Sequence, residues 1–163
     1  MRPCFRAGTP MATILIVDDA SETRAILSGL LKPLHQVRMA TSGRQALQVA
    51  TSEPRPDLIL LDVVMPGLDG HEVIVRLRSR PDTADIPVIF VTGLDRGDDE
   101  EHCFALGAVD YITKPIRPAI VLARVRTHLE LKAARDQLQS RNHNLEAEIA
   151  RRMSDNLARK SVV

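Results

Sequence analysis

The chain has 163 residues, a formal net charge of +1 and a hydrophobic fraction of 44%, which suit one domain that carries an appendage. Aromatic residues make up only 2%, which disfavours a surface that stacks nucleic-acid bases on rings, and two cysteines are too few for a disulfide framework or a zinc site. No apolar run reaches the roughly 18 residues of a membrane-spanning helix, and the N-terminus lacks the apolar segment of a signal peptide. We therefore expect a soluble, cytoplasmic protein with no membrane partner.

In chain order, short apolar runs rich in β-branched residues alternate with segments of helical spacing. Such runs predict strands buried in a parallel sheet, at 13–17, 36–40, 58–61, 88–91 and 110–113. Helices are predicted at 22–31 with Ser21 as the N-cap, from Ser42-Gly43 to before Pro54, at 71–80 and at 98–106. This alternation predicts an α/β fold with a doubly wound, five-stranded parallel sheet.

Polar residues follow four of the predicted strands at their carboxyl ends, where open parallel sheets bind ligands. They are Asp18, Asp19, Asp62, Thr92 and Lys114. Each residue alone also fits a turn, a helix cap or a solvated charge, but their joint placement indicates one site. Clustered carboxylates repel one another unless a cation such as Mg²⁺ lies among them. A carboxylate there can attack a phosphoryl group, while Mg²⁺ and an ammonium group neutralise the transferring oxygens, so the pattern predicts an aspartyl-phosphate switch.

Four segments of the sequence closely resemble the receiver domain of two-component response regulators. They are Ile14-Leu-Ile-Val-Asp-Asp19, Leu60-Leu-Asp-Val-Val-Met-Pro-Gly-Leu-Asp-Gly70, Val88-Ile-Phe-Val-Thr92 and Gly107-Ala-Val-Asp-Tyr-Ile-Thr-Lys-Pro115. The resemblance covers residues 12–125 and implies a flavodoxin-like strand order, 2-1-3-4-5. Residues 1–11 are expected to form a disordered N-terminal extension.

The resemblance also implies a role for each matching residue. Asp62 corresponds to the phosphoacceptor, Asp18 and Asp19 to the Mg²⁺-binding acidic pair, and the backbone carbonyl of Val64 to a third protein ligand of the same ion. Thr92 matches the switch hydroxyl, Lys114 the phosphate-binding lysine, Tyr111 the aromatic that follows the switch, and Lys114-Pro115 the bond that is cis in this family. A histidine kinase or a histidine phosphotransfer protein would be the phosphoryl donor, and a downstream protein the effector. The chain would then be a switch with autophosphatase chemistry, not an enzyme with a separate substrate.

The C-terminal part differs in charge and composition from the rest. Residues 118–163 carry 9 Lys/Arg against 5 Asp/Glu, and no Gly or Pro occurs after Pro118. Leucines recur every seven residues at Leu131, Leu138 and Leu145, followed by Ile149, with Asn142 at a position where a polar residue sets register. We predict a helical, coiled-coil-like extension over 126–163 that forms a parallel homodimer. A solvated single helix or a disordered tail is the alternative, and nucleic-acid binding is disfavoured because its charges are interspersed.

This C-terminal stretch also resembles the linkers that precede HD-GYP cyclic-di-GMP phosphodiesterase and diguanylate cyclase domains. The alternative function is therefore the regulatory receiver of such an enzyme, whose effector domain is absent from the sequence. Three other classes fit less well. A haloacid-dehalogenase-type phosphatase needs an Asp where Val64 stands, a DNA-binding regulator needs a recognition module, and a flavodoxin-like cofactor binder needs a glycine loop where Asp18 and Asp19 lie.

Overall fold

The computed structural model describes residues 11–93 and 97–160, with the side chains of 97–100 and 159–160 left outside the description. It separates into two compact units, the first ending at Leu129 and the second beginning at Glu130. The predicted N-terminal extension and the segment 161–163 lie largely outside the described residues. No helix in the described ranges is both long enough and apolar enough to cross a membrane.

Five parallel strands form one sheet in the first unit. They are β1 (Thr13–Val17), β2 (Gln36–Ala40), β3 (Leu58–Asp62), β4 (Val88–Thr92) and β5 (Asp110–Thr113). Their order is β2-β1-β3-β4-β5, which confirms the predicted fold class. Every residue of β1, β3 and β4 is buried, as expected for apolar strands covered on both faces.

Helices cover both faces of the sheet. They are α1 (Ser21–Leu31), α2 (Gly43–Ala50), α3 (Gly70–Arg78), α4 (Gly97–Ala105) and α5 (Pro118–Lys160). One core cluster joins the sheet to α2, α3 and α4, and the other joins it to α1 and to the first turns of α5. The two clusters give the three-layer arrangement of a doubly wound fold.

Two helix starts differ from the sequence-based expectation. Ser21 is the first residue of α1 and not its cap; the cap is Ala20, which offers no side-chain hydrogen bond. The Ala20 N–H instead donates to Asp18 Oδ1 at 2.8 Å, so a site residue organises this turn. Helix α3 begins one residue early because Asp69 caps it, its side chain accepting a hydrogen bond from the Glu72 N–H at 2.9 Å. The predicted start of α2 at Ser42-Gly43 is confirmed, and Ser42 caps this helix by accepting a hydrogen bond from the Gln45 N–H.

The second unit is the C-terminal part of α5. Pro118 is the first residue of this helix, as its position predicts, and the helix continues through Lys160 without a break. Its apolar side chains from residue 131 onward are largely exposed, with exposed fractions of 55–69%: Leu131, Leu138, Leu145, Ile149, Met153 and Leu157. Lys132–Asp136 and Arg152–Glu148 form ion pairs one turn apart on the helix surface.

Candidate functional site

The carboxyl ends of four neighbouring strands bring the predicted polar residues to one edge of the sheet. Asp18 directly follows β1, Asp62 ends β3 and Thr92 ends β4. Lys114 directly follows β5, and its backbone N–H donates to the Thr92 carbonyl at 2.8 Å. Since β1, β3, β4 and β5 are consecutive neighbours in the sheet, these residues lie side by side although they are up to 96 positions apart.

Three carboxylates form the centre of the site. One oxygen from each of Asp18, Asp19 and Asp62 lies within 4.8 Å of the other two. Asp18 is 1% exposed and Asp62 is 5% exposed, whereas Asp19 faces solvent. Burying two like charges so close together is costly without a compensating cation.

Lys114 supplies part of that compensation. Its Nζ lies 3.3 Å from Asp18 Oδ2 and 3.5 Å from Asp62 Oδ2, and its side chain is 29% exposed. The ammonium group therefore bridges two carboxylates from different strands. The contact to Asp18 Oδ2 is an ion pair without hydrogen-bond geometry, so this buried oxygen has no hydrogen-bond donor among the described residues.

A backbone N–H holds the Asp62 carboxylate in place, and an arginine holds the backbone of Asp18. The Val64 N–H donates to Asp62 Oδ1 at 3.3 Å, and the Arg24 guanidinium donates to the Asp18 carbonyl at 2.8 Å. Gly70 begins α3 beside the site, where a Cβ would overlap the Asp62 carbonyl oxygen and lie 2.9 Å from Val63 Cα. Sequence reasoning did not single out Arg24 or Gly70 as positioning residues, because the reasons for both are tertiary contacts.

The electrostatics of the site disfavour the charged form of Asp62 when no metal ion is bound. Burial raises the pKa of Asp62 to about 6, and the neighbouring Asp18 and Asp19 carboxylates act in the same direction. The Lys114 ammonium and the Val64 N–H oppose the increase in this pKa but do not cancel it. The site thus retains an unbalanced negative charge.

The donor set fits a magnesium ion. Carboxylate oxygens are the hard ligands that Mg²⁺ prefers, and the buried Asp18 Oδ2 accepts no hydrogen bond from the described residues. The carboxylates of Asp18, Asp19 and Asp62 could hold such an ion. The involvement of the Val64 carbonyl remains a prediction.

The remaining predicted residues lie next to these carboxylates or on the adjoining strand. Thr92 is buried at the end of β4. Tyr111 on β5 is partly buried, and its ring packs edge-to-face against Phe104 of α4 with centroids 6.0 Å apart. The Lys114-Pro115 bond is cis, as the resemblance implied. Glu53-Pro54 is also cis and was not anticipated.

A five-stranded parallel sheet with carboxylates and a lysine at its carboxyl edge defines a class of phosphorylatable α/β switch proteins. Residues 14–126 match the family model for the response regulator receiver domain, and the chain belongs to this family. Its members take part in two-component signalling with histidine kinases or phosphotransfer proteins, and they bind Mg²⁺ in an acidic pocket.

Relatives of known description agree with this assignment. The chain is 39% identical to protein PilH of Pseudomonas aeruginosa over 120 residues, which are 73% of this chain and 98% of PilH. It is 43% identical over 143 residues to a probable cyclic di-GMP phosphodiesterase of Vibrio cholerae, covering 88% of this chain but only 32% of that protein. The chain thus spans less than a third of the Vibrio protein.

A solved structure shows the same fold. The BeF3-activated receiver domain of DrrB from Thermotoga maritima superposes with a TM-score of 0.66 at 34% identity. The match covers 74% of this chain and 99% of the DrrB domain. The part of this chain that lies outside such matches includes most of the helix beyond residue 126.

Proposed function

We propose that this chain is a phosphorylation-controlled signalling protein in which Asp62 accepts a phosphoryl group from a phosphohistidine donor. The observation that carries the proposal is the meeting of three carboxylates with Lys114 at the carboxyl edge of the sheet. Both Asp18 and Asp62 contact Lys114, and we take Asp62 as the acceptor because it corresponds to the phosphoacceptor of the receiver family. A histidine kinase or a histidine phosphotransfer protein is the donor.

In the proposed reaction a carboxylate oxygen of Asp62 attacks the phosphorus of phosphohistidine. The P–N bond breaks, the imidazole leaves with the bonding electrons, and an acyl phosphate remains on Asp62. Asp18, Asp19, Asp62 and the Val64 carbonyl would hold Mg²⁺, which would supply positive charge for the transferring oxygens. The Lys114 ammonium, which lies between Asp18 and Asp62, contributes further positive charge.

Phosphorylation would redistribute the contacts of Lys114. The ammonium group is shared between Asp18 and Asp62 at similar distances. The acyl phosphate removes the carboxylate charge of Asp62 and adds the larger charge of a phosphoryl group, which attracts the ammonium. We propose that Thr92 then donates a hydrogen bond to the phosphoryl group and that Tyr111 follows, which transmits the change to the β4, α4 and β5 surface.

Phosphorylation can be tested by intact mass after incubation with Mg²⁺ and acetyl phosphate. We expect one phosphoryl adduct on the natural sequence and none on Asp62→Asn. Asp69→Asn is the matched control, because asparagine caps a helix as well as aspartate does and Asp69 lies outside the carboxylate cluster. Absence of an adduct on the natural sequence, or an adduct that survives in Asp62→Asn, would contradict the proposal.

The C-terminal helix is the proposed output element. Its exposed leucines follow a heptad spacing, which we interpret as one face of a parallel two-stranded coiled coil between two copies of this chain. With Leu138 at a d position, Asn142 is an a position, and Arg141 faces Glu146 of the second copy as an opposite-charge g–e′ pair. Arg135 at the preceding a position repels its counterpart, so we expect a weak dimer whose geometry changes on phosphorylation.

Light scattering over a range of concentrations tests the dimer. A monomer at every concentration, both with and without beryllofluoride as a phosphoryl mimic, would contradict it. If the chain is a monomer, a downstream protein would bind the receiver surface or the helix directly. The predictions of a cytoplasmic location, of no nucleic-acid or membrane partner and of no activity beyond autophosphatase chemistry remain predictions.

The second candidate function is the regulatory receiver of a cyclic-di-GMP phosphodiesterase. The similarity to the Vibrio protein supports it. An alignment of 143 residues must extend to residue 143 or beyond, whereas the family match ends at residue 126. The alignment therefore includes at least about 17 residues of the C-terminal helix beyond the family match. Adding the chain in trans to a phosphodiesterase domain, with and without beryllofluoride, distinguishes the candidates. A phosphorylation-dependent change in hydrolysis would favour this second function over a free-standing coiled-coil output.

A further inference from the structure

Helices α3 and α4 border a cleft of about 340 Å³ that shares no residue with the carboxylate site. Its lining residues are His71, Glu72, Val75, Arg76, His102 and Leu106. Two of the five histidines of the chain therefore meet in one cleft although they are 31 positions apart in the sequence. The proposed phosphorylation chemistry makes no use of either.

The two imidazole rings are in close contact. Their centroids are 4.8 Å apart and their planes are inclined at 85°. The His71 ring also lies edge-on to Phe90 of β4, with centroids 5.7 Å apart. His71 Nε2 is buried, and no hydrogen-bond partner for it exists among the described residues. A buried ring nitrogen without a partner requires an explanation, for which a bound ion is one of the few available.

We propose that His71 and His102 bind one divalent transition-metal ion of the zinc, nickel or copper class. Imidazole nitrogen suits these metals, whereas Mg²⁺ prefers the oxygen ligands at the other site. A zinc ion about 2.0–2.1 Å from a nitrogen of each ring would place the two centroids about 5 Å apart at a tetrahedral angle. The observed separation of 4.8 Å is close to that spacing.

Ordinary edge-to-face packing of aromatic rings gives similar separations, so the spacing alone does not distinguish packing from metal binding. The buried His71 Nε2 favours metal binding, because packing alone leaves this nitrogen without a hydrogen-bond partner among the described residues and a metal ion would satisfy it. Glu72 and Arg76 of the same cleft carry opposite charges, so the lining has no net positive charge from these two residues to repel a cation.

The protein supplies two ligands to the proposed ion. Among described residues, the only three ligand atoms that meet within 4.8 Å are those of Asp18, Asp19 and Asp62. Water therefore completes the coordination, or the exposed Glu72 carboxylate rotates into it. Such a site binds more weakly than a closed structural zinc site, which has four protein ligands.

The test is zinc binding to the tag-free full chain, measured by calorimetry in excess Mg²⁺ so that the carboxylate site is occupied. Cys4 is replaced by serine in every sample so that its thiol does not contribute. We expect one zinc ion with an affinity that falls at least about tenfold in His71→Gln and in His102→Gln, as loss of a ligand requires. His143→Gln, an exposed histidine of the C-terminal helix, is the matched control and should leave the affinity unchanged.

A second measurement guards against misfolding of His71→Gln, since His71 packs against Phe90. Pulsed electron paramagnetic resonance of the Cu²⁺-loaded chain counts the imidazoles bound to the ion. Two imidazoles in the natural sequence and one in His102→Gln support the site. Equal zinc affinity in all variants, or a copper signal from fewer than two imidazoles in the natural sequence, overturns it.

Discussion

Replacing Asp62 with asparagine should stabilise the metal-free protein. Burial and the neighbouring carboxylates raise the pKa of Asp62 from 3.8 to about 6, so the folded state holds this proton more tightly than the unfolded chain does. An increase of roughly two units corresponds to about 3 kcal/mol at pH 7, at 1.36 kcal/mol per unit. Asparagine resembles the protonated side chain and carries no charge, so Asp62→Asn removes that cost.

Because the pKa of Asp62 is higher in the folded state, the stability difference between the variant and the natural sequence depends on pH. Below about pH 4 the carboxyl is protonated in both states, and Asp62→Asn has no advantage. As pH rises from about 4 to 6, the unfolded chain releases the proton first, and the natural sequence loses stability relative to the variant. Above pH 6 the difference stays near its maximum of about 3 kcal/mol.

Urea unfolding followed by circular dichroism measures this difference, in EDTA at pH 4.5, 6 and 7.5. At pH 7.5 the midpoint of Asp62→Asn should lie about 1–3 M above that of the natural sequence, given the usual urea dependence. Asp69→Asn should stay within about 0.5 kcal/mol. Added Mg²⁺ should stabilise the natural sequence more than the variant, because the ion binds only the folded site. Two results would contradict this prediction. One is an Asp62→Asn protein that is less stable than the natural sequence in EDTA at pH 7.5, and the other is a variant that is more stable by the same amount at every pH.

Three further changes test other parts of the structure. Gly70→Ala should destabilise the protein by about 1–3 kcal/mol in urea unfolding, because its Cβ overlaps the Asp62 carbonyl, whereas Gly29→Ala in α1, with nothing within 4 Å, should stabilise it by about 0.5–1 kcal/mol. Lys114→Met should lower the yield of phosphoryl adduct measured by intact mass. The same variant should bind Mg²⁺ several-fold more tightly in a titration, because it lacks the ammonium group that competes for Asp18 and Asp62. Weaker Mg²⁺ binding would contradict this prediction. Asn142→Leu should lower the dimer dissociation constant at least about tenfold in sedimentation, while Asn144→Leu, outside the predicted seam, should not.

The sheet and the carboxylate site were predictable because both follow from local patterns. Apolar runs such as 13–17 and 58–61 predict buried strands, and parallel strands place the residues that follow them at one edge. The meeting of Asp18, Asp62 and Lys114 therefore required no knowledge of side-chain contacts. The register of β1 with β3 and of β3 with β4 then brings the strand ends into alignment.

Features that depend on contacts between distant elements were not predictable in this way. Ser21 looked like a helix cap from its type and position, but the Asp18 carboxylate already takes the Ala20 N–H in that turn. Arg24 is a surface helix residue by sequence pattern, and only the fold brings its guanidinium to the Asp18 carbonyl. The contact of His71 with His102 requires the packing of α3 beside α4, which no local pattern encodes.

The energetics of the carboxylate site explain why it suits a switch better than a structural role. A structural ion pair would balance its charges, but here Lys114 faces two buried carboxylates with a third close by. Burial, together with the remaining repulsion, raises the pKa of Asp62 and lowers the stability of the metal-free fold. A change of charge at Asp62 therefore changes the free energy of the site. The size of this change is comparable with the few kcal/mol that separate two conformations of a protein. The Lys114 N–H donates a hydrogen bond to the Thr92 carbonyl, so the site lysine is tied through its backbone to the end of β4.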